Sequence, residues 1–112
     1  MTFSVLGSDY STASVATPVS TWVDLLTPFS ITATGGLVQF QGFVNDFVSE
    51  LLLQVLVDGI VVATGQNGQA VFGIANVAAG THTVHFQGYW PGAMNPATPN
   101  ASNQGISVIA LA

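Results

Sequence analysis

Residues 51–63 constrain this chain more than any other stretch. They read Leu-Leu-Leu-Gln-Val-Leu-Val-Asp-Gly-Ile-Val-Val-Ala, an apolar run interrupted by Gln54 and by Asp58-Gly59. A membrane-spanning helix needs roughly 20 consecutive apolar residues, which this run does not supply. Asp-Gly is a favoured pair for a two-residue type I′ turn, so the run is predicted to be a β-hairpin, 51–57 returning as 60–64. In its first arm Leu51, Leu53, Val55 and Val57 share one face, because strand side chains alternate. Leu52 and Leu56 flank Gln54 on the other. Both faces of this strand therefore ask for cover, and a solvated outer face would be more polar.

The same pattern of short β-branched and aromatic segments between turn signals runs through the chain from Ser20 onward. No window sustains a 3.6-residue period. Strands are predicted at 21–26, 29–33, 37–43, 51–57, 60–64, 70–74, 81–89 and 105–111. Pro28, Gly35-Gly36 and Ala79-Gly80 punctuate them: proline cannot donate to a ladder, and glycine admits positive φ. With no room for helical crossovers, the expected fold is all-β: an antiparallel two-sheet β-sandwich of jelly-roll type with about eight strands. Residues 1–19 are rich in Ser, Thr, Ala and Val with little periodicity, and are read as an extended N-terminal arm, part of which pairs as an edge strand. Residues 20–112 form the sandwich domain.

Composition narrows the function. The chain has 112 residues with Lys+Arg 0, Asp+Glu 5 and Cys 0, a net charge of -5. Nucleic-acid binding takes most of its affinity from Lys and Arg, so it is not expected. Disulfide and thiolate chemistry are excluded. The chain is 49% hydrophobic and only 4% charged, against about 25% charged in ordinary globular domains. An exterior so poor in ions leaves apolar patches that mark contact with another chain, so the protein is expected to be an oligomer. The N-terminus lacks the basic and apolar regions of an export signal, so assembly in the cytoplasm where the chain is made is expected, without a membrane partner.

Catalytic signatures are missing from the sequence: there is no Gly-x-Ser-x-Gly elbow, phosphate loop or His-Glu-x-x-His helix, and no cation to stabilise an oxyanion. No enzyme activity and no cofactor are expected. His82 and His85 lie three apart on one predicted strand, so their rings point to opposite faces and cannot share a metal ion. Asp46 and Glu50 could hold calcium, but a solvated turn is the plainer reading. Residues 89–100, with Tyr89, Trp90, Met94 and three prolines, form a stiff amphipathic loop suited to binding a partner or the apolar faces of sugars. Trp90 could equally plug the end of the sandwich. Trp22 is read as core.

Three stretches carry a family likeness: Val57-Asp58-Gly59 closing a hairpin; Val77-Ala78-Ala79-Gly80-Thr81-His82-Thr83-Val84-His85-Phe86-Gln87 leading into a long strand; and the final Gly105-Ile106-Ser107-Val108-Ile109-Ala110-Leu111. Over about residues 20 to 112 the chain resembles the small jelly-roll domains that tailed bacteriophages use as trimeric capsid cement (decoration) proteins and as fibre tips. With no shaft segment in the chain, a free-standing cement protein is expected over a tip. The resemblance implies a homotrimer on the virion surface that bridges neighbouring major capsid protein subunits. On that reading Leu52, Leu56, Ile109 and Leu111 make the threefold core. Phe3, Val5, Leu6 and Tyr10 of the arm, with Trp90 and Met94 of the loop, contact the capsid or a ligand. The alternatives are a receptor-binding fibre tip or adhesin, and a carbohydrate-binding module that takes a glycan.

Overall fold

The computed structural model describes residues 3–18, 20–46, 51–65, 70–92 and 100–111, with the backbone alone at Asp46. In chain order its strands are β1 (Ser4–Ser11), β2 (Val15–Ala16), β3 (Trp22–Asp24), β4 (Phe29–Ala33), β5 (Gly36–Asp46), β6 (Leu52–Val57), β7 (Ile60–Gly65), β8 (Ala70–Val77), β9 (Gly80–Tyr89) and β10 (Asn100–Ala110). The described residues contain no helix. Every pairing is antiparallel, and the ten strands form one hydrogen-bonded sheet in the order β1-β10-β5-β8-β7-β6-β9-β3, with β2 also on β10 and β4 also on β9. The protein is thus all-β and sandwich-like, but its two layers are the two halves of a single curled sheet. They join where Thr64 of β7 pairs with Phe72 of β8.

Alternation decides which side closes inward. In β6 Leu53, Val55 and Val57 are buried while Leu52, Gln54 and Leu56 are half-buried. In β9 Val84, Phe86 and Gly88 turn in, and in β5 Val38, Phe40, Gly42 and Val44 do the same. The layers meet at Gly42, where an added Cβ would lie 3.0 Å from the Phe86 ring and from Val71. Glycine there lets the aromatic ring of one layer seat on the backbone of the other. The hairpin turn has φ of 52° at Asp58 and 82° at Gly59, the paired positive values a type I′ turn requires.

Much of the arm belongs to the sheet. β1 pairs with β10 from Ser4↔Ala110 to Ser11↔Gln104, and β2 continues the ladder at Ala101 and Asn100. Leu6 and Val15 pack against the core. The predicted strand 21–26 shortens to β3 because Leu25 and Leu26 leave the sheet plane and bury, with Leu25 N donating to Phe86 O at 2.8 Å.

Candidate functional site

Register places two different surfaces on the outside of the curled sheet. The first lies across β3, β9, β6 and β7. Trp22 stands opposite Tyr89, and Tyr89 opposite Leu52; in the next row Asp24, Gln87, Gln54 and Thr64 face one another in turn; beyond that His85 meets Leu56 and Leu56 meets Val61. The central row is bonded from Asp24 to Gln54. Gln54 Nε2 donates to Gln87 Oε1 at 2.8 Å, Gln87 Nε2 donates to Asp24 Oδ1 at 3.1 Å, and His85 Nδ1 sits 3.0 Å from the same oxygen. Beside this row the Trp22 and Tyr89 rings are 5.1 Å apart and inclined at 43°. Trp22 is 39% exposed, which corrects its reading as core: in this short strand its parity is outward, and Leu25 takes the inward place.

The second surface covers β1, β10, β5 and β8. Its rows are Val5–Ile109–Gln39–Ile74, Ser8–Ser107–Gln41–Phe72 and Tyr10–Gly105–Phe43–Ala70. They hold no charged side chain. Val5 is 69% and Phe72 56% exposed, and Tyr10, Leu37 and Ile74 are exposed too. Leu111 N donates to Leu37 O at 3.0 Å, extending this surface at one end. The Tyr10 and Phe43 rings lie 6.0 Å apart over Gly105, where a Cβ would come within 2.6 Å of the Phe43 ring.

The four residues assigned to a threefold core are not brought together. Leu52 and Leu56 lie on the first surface, half-buried among polar and aromatic neighbours, while Ile109 and Leu111 belong to the second. β5, β8 and β7 separate their strands in the sheet. Of the assigned contact residues, Phe3, Val5 and Tyr10 are exposed, and Leu6 packs on the core. Trp90 is only 2% exposed, so its indole presents no surface to a partner and occupies the interior instead. Met94 and Glu50 lie outside the described residues, as does the side chain of Asp46. The polar row was missed by sequence reading, although His85, Gln87 and Tyr89 at alternate positions of a long strand are the signal that could have found it.

The two histidines turn to opposite sides of β9 and are engaged separately. His85 faces Asp24 on the first surface. His82 joins the β6–β7 turn to the β8–β9 link: Nδ1 is 2.6 Å from Asp58 Oδ2 and Nε2 is 2.7 Å from the Ala78 carbonyl oxygen. Both partners are acceptors, so only the imidazolium can donate to both. The hydrogen bond to Asp58, helped by the Ala78 carbonyl, raises the His82 pKa. The Asp58 pKa is lowered, first by the Thr83 backbone N–H, which donates to Oδ1 at 2.9 Å, then by His82. Among the described residues, His, Cys, Asp and Glu gather into no group of three or more that could hold a metal.

This clasp makes stability depend on pH in a stated direction. A raised histidine pKa stabilises fully below the unfolded value of about 6.5 and is lost as pH rises through the folded value; a lowered aspartate pKa stabilises above about 3.9 and is lost as pH falls through its folded value. The clasp is therefore strongest between about pH 4 and pH 6.5. Urea midpoints should fall between pH 6 and pH 9, and His82→Asn should flatten that decline. An equal decline in the variant would show that His82 does not carry it.

No protein family and no curated protein matches this chain.

Proposed function

We propose that this protein is a structural binding protein: a homotrimeric capsid cement protein of jelly-roll type that adds to the outside of a tailed-phage shell and bridges its major capsid protein subunits. The largely apolar surface of β1, β10, β5 and β8, with Asp9 as the charged group beside Gln41, Phe43 and Ser107, carries the reading. Its exposed Val5, Leu37, Phe72 and Ile74, with half-buried Ile109 and Leu111, are the groups that self-association would cover. Burying one such side chain contributes roughly 1.5–3 kcal/mol, so a few per copy drive association. The family likeness of residues 20–112 supplies the capsid as the partner. Leu52 and Leu56 lie on the other half of the sheet, outside this surface.

With a net charge of -5 and Lys+Arg 0, copies repel one another and cannot form intermolecular Lys or Arg ion pairs. Association must then rest on apolar burial and strengthen as salt screens the repulsion. Sedimentation should give a species three times the 11.5 kDa chain mass, more fully formed at higher salt. Phe72→Asp with Ile74→Asp should yield monomers that no longer bind purified expanded capsids or raise their resistance to heat. A single-chain species at high micromolar concentration would remove the basis for the proposal, and so would a double variant that still decorates shells.

A further inference from the structure

We infer that the surface of β3, β9 and β6 is a binding site for a neutral sugar, built from the Trp22–Tyr89 pair and the Asp24–Gln87–Gln54 row. The site is independent of the assembly face, which lies on the other half of the sheet.

A pyranose has two kinds of surface: faces of C–H groups and a rim of hydroxyls that both donate and accept. This part of the protein offers a matching arrangement. The exposed Trp22 ring and its neighbour Tyr89 present aromatic faces to C–H groups, as amphipathic aromatics at recognition surfaces do. One row away, the bonded side chains are already held. Each amide is oriented by its neighbour, because Gln54 donates to Gln87 and Gln87 to Asp24. Ordering these rotamers before a ligand arrives lowers the entropic cost of binding. The chain of bonds uses Gln54 Nε2, both ends of Gln87, Asp24 Oδ1 and His85 Nδ1. Asp24 Oδ2, Gln54 Oε1 and His85 Nε2 take no part in it. The carboxylate oxygen is the strongest acceptor for a hydroxyl on this surface, since hydrogen bonds to an ionised group are about twice as strong as neutral ones.

Charge selects within sugars. Asp24 stands beside the aromatic pair, and Lys+Arg 0 leaves no lysine or arginine to neutralise a sulfate, phosphate or uronic carboxylate. The ligand is therefore uncharged. Shape selects further. An inclination of 43° between the two rings makes a shallow angle and not a flat platform, so the surface suits a single ring of a soluble glycan better than a crystalline polysaccharide face.

The test uses the full-length protein. Titration with methyl glycosides of glucose, galactose, mannose and their N-acetylamino forms, and with neutral oligosaccharides containing them, should quench Trp22 fluorescence and shift the NMR signals of residues on β3 and β9. For the best ligand, Trp22→Ala should weaken binding at least about tenfold, a change of 1.4 kcal/mol. Asp24→Asn should weaken it severalfold, and Phe72→Asp with Ile74→Asp should leave affinity per chain unchanged. Trp22 and Asp24 are exposed, so both variants are expected to keep the far-UV spectrum of the parent. The inference is overturned if no neutral glycan binds, if Trp22→Ala and Asp24→Asn bind as the parent does, or if only sialylated or sulfated glycans bind. It is equally overturned if a proline-rich peptide, the other common occupant of aromatic surfaces, binds there in place of sugars.

Discussion

Deleting residues 1–19 is expected to destroy the folded domain, not to release a trimeric core without its capsid-binding arm. β1 and β2 together cover one edge of β10 from Ala110 to Asn100. Without them that edge presents a row of unpaired backbone groups on an apolar strand, the template on which sheets aggregate. The loss reaches the interior. Leu6 and Val15 pack against the core, Thr17 is fully buried, and Ala13 O accepts from Gln104 Nε2 at 3.2 Å. Gln104 is itself fully buried, and a buried amide that loses an acceptor costs about 1–3 kcal/mol. Gly7 adds a steric element: its backbone lies so close to Phe29 and Ile31 that a Cβ would come within 2.9 Å of the Phe29 ring, so removing β1 uncovers both. The 20–112 fragment should be insoluble, or should lack a cooperative thermal transition, whereas deletion of the first three residues should leave β1 and the transition intact. A soluble 20–112 fragment that unfolds cooperatively would mean that β1 and β2 are dispensable to the fold.

That β1 belongs to the domain was hard to read because its sequence, Ser-Val-Leu-Gly-Ser-Asp-Tyr-Ser, has almost no apolar alternation. It is a strand by virtue of β10, about 100 positions later. The first half of β10 poses the same difficulty, since Asn100 to Gln104 reads as polar loop until β2 and β5 are set beside it. Where the local signal is strong, sequence and structure agree: the turn at Asp58-Gly59, the inward row Leu53, Val55 and Val57, and the strand Phe29–Ala33. What alternation cannot give is the relation between faces of different strands. Leu52 and Leu56, like Ile109, were correctly set on the second face of their own strands, and Leu111 follows the end of β10. Whether two second faces coincide depends on strand order, and β5, β8 and β7 intervene. The polar row of the first surface was hidden for the same reason. Asp24, Gln54 and Gln87 are far apart in sequence and become neighbours only through the register of β3 and β6 on β9.

Trp22, read as core, is exposed, and Trp90, for which a surface and an interior role were both open, is buried, so their substitution should separate stability from surface function. Trp90 follows β9, its carbonyl accepts from Ser20 N at 2.8 Å, and its side chain is among the largest fully buried groups. Replacing it with alanine removes an aromatic side chain from a packed interior that relaxes only partly around the cavity, a loss of about 3–5 kcal/mol. Domains of this kind have total stabilities of about 5–15 kcal/mol, so Trp90→Ala should lower the urea midpoint by about 1 M or more at slopes of 1–3 kcal/mol per molar. Trp90→Phe should cost less. It keeps a ring in place and removes the indole Nε1–H, which has no hydrogen-bond partner among the described residues; burying such a donor is itself unfavourable. Trp22→Ala, on an exposed strand face, should shift stability by under about 1 kcal/mol while removing the aromatic surface on which sugar binding rests. If Trp90→Ala instead left the midpoint unmoved and abolished partner binding, the indole would have to lie outside the core. The segment after β9 would then be the recognition element that its aromatics and prolines imply.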